Sequence, residues 1–160
     1  MKIPGLTFDF YKVDDQGNSF KFGKLYLRTK DKHLKFHATS GLPNYQQLIN
    51  CGQRGRGAIP PCELVDILAY TVLTKPIPMP KLRGVEGNFY QILPHLNQVK
   101  TSYGVYTRGD FGIHQDAGIL GTAGCIGITK GMHWKAFQME MQSLVVQGFE
   151  KINLFVPVGY

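Results

Sequence analysis

Only one segment of this 160-residue chain repeats its apolar residues at helical spacing, and that limits the fold more than any other feature. The segment spans residues 132–147, and Gly148 follows it as a C-cap. Its apolar positions are Trp134, Phe137, Met141, Leu144 and Val145. Elsewhere, short stretches that alternate as half-buried strands do are interrupted by 19 glycines and 9 prolines. The sequence therefore predicts a β-rich mixed α+β fold with one late helix and a final strand at residues 152–158.

The rest of the chain is divided into short strands and loops. A turn is expected at residues 14–19, and loops at 39–44 and 52–61. Residues 62–73 are compatible with either helix or strand, whereas the prolines of residues 75–80 forbid a helix and predict an extended connector. Further strands are expected at residues 6–10, 20–27, 33–38, 88–93 and 103–114.

Length and hydropathy predict one domain over residues 1–160. A chain of 160 residues with 43% apolar content can bury a core without metal or disulfide staples.

No apolar run approaches the roughly 18 residues that a membrane span needs. The N-terminal region lacks an apolar segment and reaches Asp9 early, so we expect synthesis in the cytoplasm without a secretory signal peptide.

The chain is basic, with 18 Lys and Arg against 11 Asp and Glu, a net charge of +7. Such a charge suits an anionic partner, either nucleic acid or a cell-wall polymer, or it serves solubility alone. The basic residues are spread along the chain, and no aromatic-rich RNA-binding motif, zinc-finger spacing or basic helix is present. We therefore expect no nucleic-acid partner.

The segment RGDFGIHQDAGILGTAGCIGI, residues 108–128, contains the residues best suited to chemistry. Cys125 lies among small residues, which leave room for a substrate carbonyl and free backbone N–H groups for an oxyanion hole. His114 precedes it by eleven positions, so a loop can fold the imidazole back onto the thiol, lower its pKa and supply acid–base catalysis. The alternative is a cysteine that only packs in the core.

The order of residues in this segment resembles the L,D-transpeptidase catalytic domain, the YkuD-like fold. That family has a histidine, a variable loop, and then Ser/Thr-His-Gly-Cys followed by an apolar residue. Residues 39–41 and 57–61 resemble the Ser-Gly and Gly-x-Ile-Pro-x-Gly elements of its short effector- or phage-type members. The matching run is Ile113-His114, then Gly121-Thr122-Ala123-Gly124-Cys125-Ile126. The resemblance implies a YkuD-like β-sandwich or barrel with a C-terminal helix and final strand.

The resemblance also implies a role for each matching residue. Cys125 is the expected nucleophile and His114 the base, while Thr122 lines the site and Gly124 shapes the oxyanion hole. Ala123 also lines the site, in the place of the family's second histidine.

Four nearby residues concern the substrate and the base. Gly127 stands where many members have an arginine that grips a substrate carboxylate. Arg108 is predicted to supply that cation, unless it is an ordinary surface charge. Asp116 is a second predicted substrate contact and, with Asp110 or a backbone carbonyl, a candidate to orient His114.

The activity implied is two-step acyl transfer on peptidoglycan stem peptides through a thioester on Cys125, without a cofactor or metal. Release of the acyl group to an amine or to water distinguishes a transpeptidase from a carboxypeptidase, and both remain open. The protein would act in the periplasm or cell wall, or as part of a virion, with a phage particle or secretion machinery as a partner. The loop GQRGRG, residues 52–57, is expected to be a mobile basic loop near the glycan strand.

Two other functions stay open. Phage-type zinc amidases use two histidines and one cysteine as metal ligands, which here would be His37, His114 and Cys125. A non-enzymatic virion component that binds the cell wall is the third class. Cys51 and Cys62 lack a nearby metal-binding partner in the sequence and are predicted to be structural thiols.

Overall fold

A computed structural model describes residues 3–11, 20–79, 87–116 and 120–159 of the chain. Within these ranges the chain forms eleven strands, one α-helix and two short 3₁₀ helices, at Leu48–Asn50 and Cys62–Val65. The helix, α1, spans Gly131–Val146. The strands are β1 Gly5–Asp9, β2 Gly23–Arg28, β3 His33–Ser40, β4 Tyr70–Leu73, β5 Ile77–Met79, β6 Gly87–Leu93, β7 Leu96–Thr101, β8 Gly104–Gly109, β9 Gly112–Gln115, β10 Ile126–Ile128 and β11 Lys151–Phe155.

Eight of these strands close into a barrel. Their order is β4-β11-β1-β2-β3-β10-β9-β6, and β6 returns to pair with β4, while β5 adds a ninth strand beside β6. The pairs β1–β11 and β9–β10 are parallel, and the other pairs of the barrel are antiparallel. Strands β7 and β8 form a separate two-stranded ribbon. Because closure pairs both edges, the barrel has no free strand edge among these eight strands.

The core consists of the side chains that meet in register on one face of the strands. Tyr90, Ile113 and Ile126 are aligned across β6, β9 and β10, and all three are buried. Helix α1 packs on the same set, since the Phe137 ring lies 5.5 Å from Phe36 and 5.3 Å from Tyr90, centroid to centroid. Residues one position away along these strands, such as His114, face the opposite side.

The helix and its end agree with the sequence prediction. The helix begins one residue before the predicted start and ends one residue before the predicted end, and four of its five predicted apolar positions are buried. Gly148 has a φ of +93°, and the N–H groups of Gly148 and Phe149 donate to the carbonyls of Val145 and Leu144 at 3.0 and 2.9 Å. This is a Schellman motif, and it ends the helix as expected of a C-terminal glycine.

Several strand boundaries differ from the prediction. The single strand expected at residues 103–114 is two strands, because Asp110, at a φ of +56°, turns the chain between β8 and β9. Residues 62–73 contain both alternatives, a 3₁₀ helix and β4, and the connector at 75–80 includes β5. Strands β7 and β10 were not expected: β7 is mostly polar and β10 has only three residues. The predicted turn at 14–19 lies outside the described residues.

None of the helices in the described ranges has the length and apolar content needed to cross a membrane.

The packing of α1 predicts a large difference between two positions on the same helix. Phe137 is fully buried and Met139 is 65% exposed. We expect Phe137→Ala to lower the free energy of unfolding by about 3–5 kcal/mol, since it leaves a cavity between Phe36 and Tyr90. The control Met139→Ala should change it by less than about 0.5 kcal/mol. Urea denaturation followed by circular dichroism measures both, and equal losses would contradict the packing described here.

Candidate active site

The barrel places His114 in β9 and Cys125 beside the start of the neighbouring strand β10. Cys125 comes directly before β10, and β10 lies between β3 and β9. In the parallel β9–β10 pair, Gly127 is opposite His114, so Cys125 is two residues away from the position opposite the histidine. From strand spacing and rise, this offset separates the two Cα atoms by on the order of 8 Å. Both residues are described, and no hydrogen bond joins the thiol to the imidazole.

The imidazole of His114 is held by the backbone. Its Nδ1 lies 2.8 Å from the carbonyl oxygen of Gln115, which can only accept, so Nδ1 carries the proton and Nε2 is left with a lone pair. Neither Asp110 nor Asp116 holds the ring, and the backbone carbonyl foreseen as an alternative does so. Burial lowers the pKa of His114 below its ordinary value of 6.5. The ring is therefore neutral at pH 7 and able to accept a proton at Nε2.

The thiol of Cys125 differs from the prediction. Burial raises the pKa of Cys125 to about 11, and the Gly112 backbone and the Arg108 guanidinium lower it too little to offset this. Asp110 acts in the same direction as burial. The expectation that His114 lowers this pKa is wrong for this structure, because the imidazole is neutral and no hydrogen bond joins it to the sulfur. The resting group is a thiol rather than a thiolate.

Thr122 organises the backbone on both sides of the cysteine. Its hydroxyl donates to the carbonyl of Cys125 at 2.6 Å and accepts from the N–H groups of Gly41 and Gly124 at 3.1 and 3.3 Å. Thr122 is buried and does not line the cavity beside Cys125, so its predicted role in lining the site stays a prediction. The N–H of Gly124 is already bonded and is not a free oxyanion donor, whereas the N–H of Cys125 has no partner among the described residues.

Gly124 is required where it lies. Its φ is +126°, and a Cβ there would collide with Phe111 and with the guanidinium of Arg108. Ala123, just before it, is exposed at the edge of the site, and its carbonyl accepts a hydrogen bond from Arg108 at 3.2 Å. The small residues around Cys125 therefore serve close approach of the Arg108 side chain as well as access to the thiol.

Gly127 has no space for the family's arginine. A Cβ at this position would meet Asp116 Cβ at 2.9 Å and Thr122 Cγ2 at 3.1 Å.

Asp116 is half-buried: one carboxylate oxygen accepts from the Gly121 N–H at 3.4 Å, and the other has no partner among the described residues. Burial raises the pKa of Asp116. Its predicted contact with substrate stays a prediction.

Arg108 is a buried residue, so its interpretation as an ordinary surface charge is wrong. It is 2% exposed, and its guanidinium donates to the carbonyls of Cys51, Gly57 and Ala123. It also lies over the Phe111 ring, 5.2 Å from the centroid. The described residues offer it no carboxylate. Arg108 therefore ties the loop at residues 51–57 to the segment that precedes the cysteine.

A cavity of about 260 Å³ opens beside Cys125. Arg108, Ala123 and Asp110, which the sequence indicated, line it together with residues that the sequence did not indicate. The other lining residues are Arg54, Gly55, Leu96, Thr107, Gly109 and Phe111. The signal for Arg54 was its place in the basic loop, while Leu96 and Thr107 reach the site only because the β7–β8 ribbon folds beside it. His114 does not line this cavity.

Phe89 is a further site residue that the sequence did not indicate. Its ring stacks on His114 with centroids 6.3 Å apart, and it covers the position that a Cβ of Gly112 would occupy. Gly112 is a glycine in a barrel strand because this ring needs the space. Phe89 thus excludes water from one side of the imidazole.

The three proposed zinc ligands are not brought together. His37 is opposite Thr129 and bonds to it through Nδ1 and Oγ1. Thr129 lies four residues beyond Cys125, about 13 Å along the strand. Zinc ligands lie about 2.0–2.3 Å from the metal, so this separation cannot be bridged. Among the described residues, no three His, Cys, Asp or Glu side chains are grouped closely enough to hold a metal.

Comparisons with known proteins add no relative. No model of a known protein family matches the chain, and neither the curated proteins nor the solved structures include a match. The likeness to L,D-transpeptidases therefore rests on the sequence pattern alone, at residues 39–41 and 57–61 and around His114 and Cys125.

The three thiols differ in access, and this predicts their reactivity. All are free; Cys51 and Cys62 are 0% and 1% exposed, whereas Cys125 is partly exposed. We expect iodoacetamide to label Cys125 first, at a rate rising about tenfold per unit of pH below about 11, because only the thiolate reacts. Mass spectrometry of the labelled peptides measures this. A rate that levels off near neutral pH would contradict the raised pKa.

Proposed function

We propose that this protein is a cysteine acyl transferase or peptidase of the L,D-transpeptidase type, with a YkuD-like barrel, that acts on peptidoglycan stem peptides through Cys125. The observation that carries the proposal is the pairing of β9 and β10. It puts a partly exposed thiol beside a cavity and places it within two residues of a neutral histidine whose Nε2 can accept a proton. The basic charge of the chain suits an anionic cell wall.

The chemistry begins from a neutral thiol and a neutral imidazole. Substrate binding brings the Cys125 side chain within hydrogen-bond reach of His114 Nε2, which takes the thiol proton as sulfur attacks the peptide carbonyl. The N–H of Cys125 stabilises the oxyanion. The imidazolium then protonates the leaving amine as the C–N bond breaks, leaving a thioester. An incoming amine or water, deprotonated by His114, releases the acyl group and regenerates the thiol.

A second candidate function has a specific observation behind it. The thiol and imidazole are not hydrogen-bonded, and the pKa of Cys125 is raised rather than lowered. A protein that binds the cell wall without catalysis would tolerate both features. It would keep the basic surface and the barrel and have no need of a thiolate.

Mutation of the two central residues tests the proposal. We expect Cys125→Ala and His114→Ala each to lower turnover of purified sacculi by at least about 10²-fold, since each removes a group that acts in the transition state. The exposed histidine His33 provides the control, and His33→Ala should retain activity. Mass spectrometry of released and cross-linked muropeptides measures turnover, and cosedimentation with sacculi measures binding. Binding to sacculi without any change in muropeptides favours the second candidate. Turnover that is unchanged in both variants contradicts the catalytic roles of Cys125 and His114.

The acidic limb of the pH profile tests the role of His114. Because burial lowers the pKa of His114 below 6.5, the ring stays unprotonated down to that pH and gains a proton only below it. We therefore expect turnover to be maintained to pH values below 6.5 and to fall as the pH drops further. An acidic limb centred above 6.5 would assign the base to another group.

A further inference from the structure

The cavity beside Cys125 has a surplus of positive charge. Its charged lining residues are Arg54, Arg108 and Asp110, two cations against one anion. At about 260 Å³ it lies just below the range of about 300–1,000 Å³ typical of pockets for small ligands. It has room for the end of a short peptide rather than for a long chain.

The two arginines of the cavity differ in what their guanidinium groups do. Arg108 is buried, and its donors are directed to three backbone carbonyls. Arg54 is exposed and makes no hydrogen bond or ion pair with any described residue. Arg54 is therefore the cation that remains available to a ligand.

Arg108 also determines where Arg54 is held. The carbonyls of Cys51 and Gly57, at the two ends of the loop that carries Arg54, both accept from the Arg108 guanidinium. The same group bonds to Ala123, two residues before Cys125. One buried side chain thus fixes the Arg54 loop relative to the nucleophile. This loop was expected to be mobile, and the structure anchors it at both ends.

We propose that this cavity is a carboxylate-binding site in which Arg54 grips an anionic group of the acyl substrate next to Cys125. A guanidinium presents paired N–H donors that match a carboxylate, and it keeps its charge at every relevant pH. Asp110 opposes this attraction and limits it. The identity of the ligand as a peptide carboxylate rests on the proposed function, whereas the preference for an anion does not.

Two alkylating reagents that differ only in charge test the site. In both cases the Cys125 thiolate attacks the CH₂ carbon, the C–I bond breaks, iodide leaves and the thiol proton goes to solvent. Iodoacetate has a carboxylate where iodoacetamide has a neutral amide. The ratio of their rates at Cys125, from mass spectrometry of the full-length protein after digestion, reports on binding of the carboxylate near the thiol.

We expect Arg54→Gln to lower the iodoacetate-to-iodoacetamide ratio about three- to tenfold, the effect of one charge at close range in a partly exposed site. Arg56→Gln is the matched control, because Arg56 is on the same loop and is exposed, but it bonds to Tyr45 at 3.1 Å and does not line the cavity. The Arg56→Gln variant should leave the ratio within about twofold of the wild-type value. Asp110→Asn should raise the ratio, and Arg54→Lys should retain most of the wild-type ratio.

Equal effects of Arg54→Gln and Arg56→Gln would assign the preference to net charge and overturn the proposal, as would an unchanged ratio in Arg54→Gln. Circular dichroism melting of each variant identifies any that fails to fold. If Arg54→Gln fails to fold, the iodoacetate-to-iodoacetamide ratio of Arg54→Lys and of wild type is measured in rising salt instead, and a ratio that salt does not lower in either protein overturns the proposal. Alkylation needs no peptidoglycan. If the protein fails the sacculus assay but shows the Arg54-dependent ratio, the proposed function is contradicted and the anion site is supported. If it turns over sacculi but the ratio does not depend on Arg54, the proposed function is supported and the anion site is contradicted.

Discussion

The site is built around one buried cation. Removing a guanidinium from water costs several kcal/mol, and the described residues offset this cost with backbone carbonyls rather than with a carboxylate. Because those carbonyls belong to the loop at 51–57 and to Ala123, the same bonds that stabilise Arg108 bring both segments to the end of β8. Gly57 and Gly124 have no side chains, and this lets the backbone approach the guanidinium.

Barrel closure supplies the second constraint. Strands β10 and β9 lie between β3 and β6, and the pairing of β4 with β6 closes the sheet that contains them. The register of a strand bonded on both sides cannot shift without breaking two ladders. The offset between Cys125 and His114 is therefore a property of the whole barrel, and Thr122 then adjusts the backbone locally at the cysteine.

The resting electrostatics leave both Cys125 and His114 neutral. A neutral histidine with a lowered pKa and a thiol with a raised pKa do not form an ion pair, as they would in a papain-like site. In the mechanism that we propose, His114 therefore takes the thiol proton during attack, as the base of a serine hydrolase does. A neutral thiol reacts more slowly with oxidants and alkylating agents than a thiolate does, so the raised pKa slows both reactions at Cys125.

The sequence alone determined the elements that depend on local periodicity and on local backbone chemistry. The helix was predicted almost to the residue, with its buried stripe and Gly148, because those signals lie within a few residues of one another. The small residues next to Cys125 were likewise visible in the sequence. What only the tertiary structure decided depends on partners far apart in the chain. The sequence left Arg108 open between a substrate-binding cation and a surface charge because its carbonyl partners, at 51 and 57, lie about fifty residues away. The thiol pKa was wrongly predicted for the same reason: a spacing of eleven residues allows histidine and cysteine to meet, but the strand register offsets the two residues, and burial of the sulfur raises the thiol pKa.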